Sequence, residues 1–124
     1  LDSWVLPVTE ALLTDGLTQP FMFLSTPTWL GPDNQARGQQ IFNGLTADGY
    51  QLTLADTGHY DFTDLVLLTP LSGQLGLSGS INSKYSLALQ NEYVVAFFNQ
   101  YLRGEDSGLL KRPSAYPELT IERR

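Results

Sequence analysis

Between Pro20 and Ala55 two short apolar runs flank one segment of helical period, and that order restricts the fold more than any other feature of the chain. Phe21-Met22-Phe23-Leu24-Ser25-Thr26, bounded by Pro20 and Pro27, suits a strand buried on both faces of a parallel sheet. Residues Asp33 to Leu45 read as a helix, with Asp33 as N-cap, Ala36, Ile41, Phe42 and Leu45 as an imperfect apolar face, and Asp48-Gly49 as the exit turn. Tyr50-Gln51-Leu52-Thr53-Leu54-Ala55 then alternates with period two, as a second strand does. Strand, helix and strand in this order make a right-handed crossover unit, so the fold class is α/β.

Downstream, the loop Asp56-Thr57-Gly58-His59-Tyr60 leads into an apolar stretch, Phe62 to Leu68, expected to form a short helix stopped before Pro70. Gly73, Gly76 and Gly79 punctuate what reads as a flexible connection. From Ser83 to Arg103, Leu87, Val94, Phe97, Phe98, Tyr101 and Leu102 recur at helical spacing, and Gly104 stands where a C-cap glycine belongs. The final twenty residues, with Pro113 and Pro117, are expected to run over the surface. With no repeat and no linker, residues 1–124 read as one continuous piece of a single domain. Two parallel strands do not make a stable sheet alone, so this piece needs neighbours from another chain or a preceding segment.

Composition narrows the function classes. The 124 residues are 42% hydrophobic, enough for one packed core. A net charge of −6 with only seven Lys and Arg argues against a nucleic-acid partner, because phosphate backbones are bound by clustered cations. Four of the seven, Lys111, Arg112, Arg123 and Arg124, close the chain and read as a solvated tail. The absence of cysteine excludes disulfides and thiolate metal sites and leaves the compartment, secretion included, open. No run approaches the roughly 18 apolar residues of a membrane span, so a soluble protein with no transmembrane segment is expected. The start at Leu1, without initiator Met or basic leader, is read as the inside of something longer.

His59, the single histidine, follows the second strand in a glycine-containing loop. In open parallel sheets working residues gather beyond the carboxyl ends of the strands, so His59 suits a general base; a turn histidine with local hydrogen bonds is the plain alternative. His59, Asp61 and Asp64 also offer a nitrogen and oxygens to a metal, but with no recognised ligand spacing. Asp61 and Asp64 otherwise serve as caps of the following helix, and Asp56 ends the strand. Asp2, beside Trp4 in Leu1-Asp2-Ser3-Trp4-Val5-Leu6-Pro7, fits a strand end that delivers an acid to a loop, or an ordinary surface acid. Trp29, Tyr60 and Phe62 suit either an acyl pocket or the core.

An ordered set of segments resembles the platelet-activating-factor acetylhydrolase family of α/β-hydrolases, with its dienelactone-hydrolase-like relatives. Leu1 to Pro7 resembles the segment of the catalytic aspartate, and Pro20 to Ser25 the next strand. Gly58-His59-Tyr60-Asp61-Phe62-Thr63-Asp64 resembles the catalytic histidine loop, and Leu77 to Leu102 the closing helix. The resemblance implies the C-terminal portion of an α/β-hydrolase fold: its last parallel strands and flanking helices, with an N-terminal part needed to complete the sheet. It implies a serine esterase with the order Ser, Asp, His, in which Asp2 and His59 are the acid and base, and it implies no cofactor and no metal. No Gly-x-Ser-x-Gly occurs; Leu71-Ser72-Gly73 and Ser78-Gly79-Ser80 lack the pattern and follow the histidine. The nucleophile and oxyanion hole are therefore expected from the N-terminal part of the hydrolase as partner, and the substrate from the family's short-chain acyl or phospholipid-like esters, with polyester or dienelactone-type esters open on the same scaffold. The competing expectations are a non-catalytic fragment or binding module and a metal-dependent hydrolase.

Overall fold

Two parallel strands form where the apolar runs place them. The computed structural model describes residues 1–69 and 71–124, so Pro70, read above as stopping a helix, lies outside the described residues. β1 (Phe21–Ser25) pairs in parallel with β2 (Gly49–Leu54), with Phe21 opposite Gly49 and Ser25 opposite Thr53. A short helix, α1 (Glu10–Asp15), precedes β1, and α2 (Gly31–Gly44) connects the two strands. α2 starts earlier than Asp33 because Gly31-Pro32 supplies a preset first turn; Leu30, at φ 54°, is the cap residue, and Asp33 lies in the first turn without a capping hydrogen bond. Ala36 is exposed, and α2 buries Asn34, Ile41 and Phe42 instead.

The final twenty residues do not simply run over the surface. Leu119 and Ile121 alternate with polar neighbours, and β2 offers a second edge, so Leu119–Arg123 forms β3, antiparallel to β2. Gly49 and Arg124 exchange backbone bonds of 3.0 and 2.9 Å. Nor is the basic terminus a free tail: Arg123 Nε donates to the Leu110 carbonyl at 2.5 Å, Arg124 Nε to that of Leu45 at 2.9 Å, and Lys111 pairs with Asp106. β2 is thus the central strand of the order β1-β2-β3. Among the described residues, the outer edge of β1 receives one backbone bond, from Asp2 N to the Leu24 carbonyl at 2.6 Å, and no strand.

Pleating sends alternate residues to opposite faces of this sheet. On one face Leu24, Tyr50, Leu52, Leu54 and Leu119 pack against Leu89, Tyr93 and Ala96 of α4 (Ser83–Phe98). Leu24, Leu52 and Leu54 are completely buried, each worth about 1.5–3 kcal/mol relative to exposure. Asn82 caps α4 by accepting the Tyr85 N–H at 3.1 Å, and a π-helical turn, Asn99–Arg103, carries the helix to Gly104 at φ 70°. The buried stripe is rotated from the expected one: Ser86, Leu89, Gln90, Tyr93 and Ala96 face inward, while Phe98 and Leu102 are exposed.

The other face of the sheet is less closed. Phe23, Ser25, Gln51 and Thr53 are only half-buried beneath α2, so β1 is not buried on both faces; Leu24 alone of its residues is fully enclosed. After β2, His59–Phe62 forms a 3-10 turn and Leu65–Leu68 a single helical turn, α3. The connection to α4 is pinned rather than loose at Gly79, where a Cβ would lie 2.0 Å from the Asp56 carbonyl oxygen, and Ile81 N donates to that same oxygen at 3.0 Å. Among the described residues no helix is long and apolar enough to cross a membrane.

Candidate active site

The carboxyl ends of β1 and β2 lie side by side in a parallel pair, so the loops that follow them share one rim of the sheet. The segment before β1 reaches that rim through the bond from Asp2 N to Leu24 O, and Asp2 adopts φ 42°, a left-handed conformation that aspartate tolerates better than most residues. Asn34 of α2 secures the same segment, accepting the Val5 N–H at 2.8 Å and donating to the Ser3 carbonyl at 3.0 Å.

Asp2 and His59, 57 residues apart, meet here. Asp2 Oδ2 lies 2.8 Å from His59 Nδ1, and Asp2 Oδ1 accepts the Thr26 N–H at 2.9 Å. The carboxylate side chain is 1% exposed and the imidazole 30%, so the carboxylate is enclosed while the imidazole stays partly open to solvent. With Nδ1 donating to the carboxylate, the proton is on Nδ1 and Nε2 carries the free lone pair. Among the described residues Nε2 has no hydrogen-bond partner.

Aromatic contacts fix the plane of the ring. Trp29 stacks on His59 with centroids 3.6 Å apart and planes 5° from parallel, and Tyr60 meets it edge-on at 5.4 Å. Thr26 places the tryptophan, its Oγ1 accepting the Trp29 backbone N–H at 3.1 Å. Phe62, the third aromatic named from sequence, packs on the α4 core instead.

Beside Asp2 a cavity of about 320 Å³ opens between the sheet and α2, with Asp2, Trp29, Ser25, Gln51 and Thr53 in its wall. Gln51 Oε1 and Trp29 Nε1 are buried without partners among the described residues, although such groups are nearly always paired in folded proteins.

Asp61 turns away from the cavity. Fully buried, it accepts the Gly58 N–H at 2.8 Å and the Gly79 N–H at 2.7 Å, both on Oδ2. It therefore caps its own 3-10 turn, whereas Asp64 stands at the start of α3 without a side-chain capping bond. His59, Asp61 and Asp64 do not converge, and no group of three His, Cys, Asp or Glu side chains among the described residues is arranged to hold a metal ion. Sequence reasoning did not find Asn34 or the anchoring role of Asp61; the glycine pair Gly58 and Gly79 was the available signal for the latter.

A family model described as platelet-activating factor acetylhydrolase, isoform II, matches residues 1–108. The chain belongs to this family. Among solved structures, a ferulic acid esterase from Streptomyces cinnamoneus is similar at 30% identity with a TM-score of 0.73. The match covers 86% of this chain and 34% of the esterase chain, so the residues here span about a third of that protein. The fold is that of part of an α/β-hydrolase, with the mixed sheet and flanking helices described above.

Proposed function

We propose that this chain supplies the acid and base of a serine esterase whose nucleophile and oxyanion hole come from the N-terminal part of the same hydrolase. The observation that carries the reading is the 2.8 Å contact between an enclosed Asp2 carboxylate and the half-open His59 imidazole at the carboxyl rim of a parallel sheet. Family membership and the esterase neighbour support ester hydrolysis as the reaction. The unpaired polar atoms of Gln51 and Trp29 at the cavity wall support a site that further chain completes.

In this mechanism His59 Nε2 takes the proton of the serine hydroxyl as that oxygen attacks the ester carbonyl. It then returns the proton to the departing alkoxide, releasing the alcohol and leaving an acyl-enzyme that water cleaves by the same route. Asp2 holds the imidazole in the tautomer with the proton on Nδ1 and stabilises the transient imidazolium. The substrate class is a carboxylic ester with a short or phospholipid-like acyl group.

The test is fluorophosphonate labelling of the native protein, followed by denaturing mass analysis and peptide mapping. The expected result is a label on a serine outside residues 1–124, with Ser72 and Ser78 unmodified. A native sample in which no serine is labelled sinks the esterase reading and leaves a non-catalytic module of hydrolase fold.

A further inference from the structure

The proposed mechanism uses Asp2 and His59 but leaves a second, completely buried carboxylate unexplained. Asp61 is 0% exposed and two residues from the base, and carboxylates are seldom enclosed this way without a compensating role. Its Oδ2 receives two backbone N–H groups from separate loops: Gly58, immediately before His59, and Gly79, eighteen residues beyond Asp61. Its Oδ1 has no partner among the described residues, so the geometry satisfies one oxygen fully and leaves the other idle.

These contacts close a frame around the histidine backbone. Gln90 on α4 donates to the Asp61 carbonyl at 2.9 Å and also to Ser86 Oγ at 2.9 Å, tying the 3-10 turn to the main helix. Thr57 Oγ1 donates to the Leu54 carbonyl at 2.6 Å, tying the other end to β2. The two loops bridged by Asp61 approach backbone to backbone: a Cβ on Gly58 would lie 3.2 Å from Gly79 N. His59 itself has no backbone anchor as strong as a charge-assisted bond, which is about twice the strength of a neutral one. Its ring must nonetheless meet an acid 57 residues away at 2.8 Å.

We infer that Asp61 is a positioning residue of this site: by binding the Gly58 and Gly79 amides it fixes the loop that aims His59 at Asp2. The inference deepens the proposed esterase reading and rests on His59 being its base. Misplacement of about 1 Å at a catalytic group can cost about 10²-fold in rate, so a loosened loop lowers kcat far more than substrate binding.

The experiment compares Asp61→Ala and Asp61→Asn with wild type in the assembled hydrolase, reading kcat, KM, the downfield Nδ1 proton of His59 by NMR, and amide exchange. Asp61→Ala is expected to lower kcat about 10²-fold with KM within about twofold, to broaden the Nδ1 proton into solvent exchange, and to speed exchange at Gly58 and Gly79 while Leu52 and Leu54 stay protected. Asp61→Asn keeps an acceptor but not the charge, so about a tenfold loss and an intermediate exchange rate are expected. If Asp61→Ala does not fold, Asp61→Asn carries the test alone. Wild-type kcat with a wild-type Nδ1 proton in either folded variant overturns the inference. Exchange that rises equally at Leu52 and Leu54 also overturns it, making Asp61 a residue of general stability. Failure of the esterase reading is separate: it shows as wild-type protein that takes no label, whereas the Nδ1 proton and the amides report on Asp61 regardless.

Discussion

The two faces of the sheet are made of the same three strands and differ in what covers them. Toward α4, Leu24, Leu52, Leu54 and Leu119 meet Leu89, Tyr93 and Ala96 with nothing left open. Toward α2, Ser25, Gln51 and Thr53 line a cavity of about 320 Å³ that runs to Asp2 and Trp29. The closed face is apolar and holds the buried core; the open face is polar, half-covered and continuous with the candidate site. The division places the candidate site where packing is incomplete and keeps it off the core that holds the loops in register.

Four substitutions sharpen that contrast. The largest effect is expected on the open side, from Asp2→Asn. Thr26 N–H needs an acceptor, so the new amide oxygen turns to it and the NH2 faces His59 Nδ1. Nδ1 then becomes an acceptor, the ring proton moves to Nε2, and the base is disabled. Steady-state kinetics of the assembled esterase should show kcat reduced by about 10⁴, as in the serine-protease precedent, with the urea midpoint of unfolding nearly unchanged. A loss below tenfold would remove Asp2 from the mechanism.

On the closed side, Leu52→Ala should lower the unfolding free energy by about 2–5 kcal/mol in urea titrations, whereas Thr53→Ala, its neighbour on the opposite face, should change it by no more than about 0.5 kcal/mol. Equal costs would mean that the two faces are packed alike. The smallest effect concerns the rim of the closed face, where the Tyr101 hydroxyl donates to Asp48 Oδ2 at 2.6 Å and meets the Tyr50 hydroxyl at 2.9 Å. Burial, and then these hydrogen bonds, raise the Tyr101 phenol well above its ordinary range. A raised folded-state pKa contributes stability that is whole below the unfolded value of about 10 and is lost as pH climbs beyond it. Thermal unfolding between pH 9 and 11 should therefore fall more steeply for wild type than for Tyr101→Phe; parallel curves would deny the phenol any part in alkaline unfolding.

Much of the closed face was legible from residue pattern. β1, β2 and α4 announce themselves by apolar runs or helical spacing, because burial against a sheet selects for exactly those periods. β3 was not legible: Leu119-Thr120-Ile121 gives only one and a half repeats of alternation, Pro113 and Pro117 precede it, and its strand character comes from the free edge of β2. The start of α2 was displaced by Gly31-Pro32, a local signal outweighed in the reading by the acid at Asp33. At the site, Asp2 and His59 were named from order and resemblance, and the structure brings the two together. Asn34 and Asp61 act through bonds to backbone groups that are distant in sequence, and no spacing rule encodes such partners.

The pairing of β3 with β2 also has a bearing on synthesis. β2 is translated about seventy residues before the strand that covers its second edge. Until residues 119–123 emerge from the ribosome, Gly49–Leu54 presents an open row of amides and carbonyls with Tyr50, Leu52 and Leu54 beside it, a template for pairing with other nascent chains. Residues 119–123 thus act as a molecular latch on the second edge of β2, which stays open to mispairing until they close it.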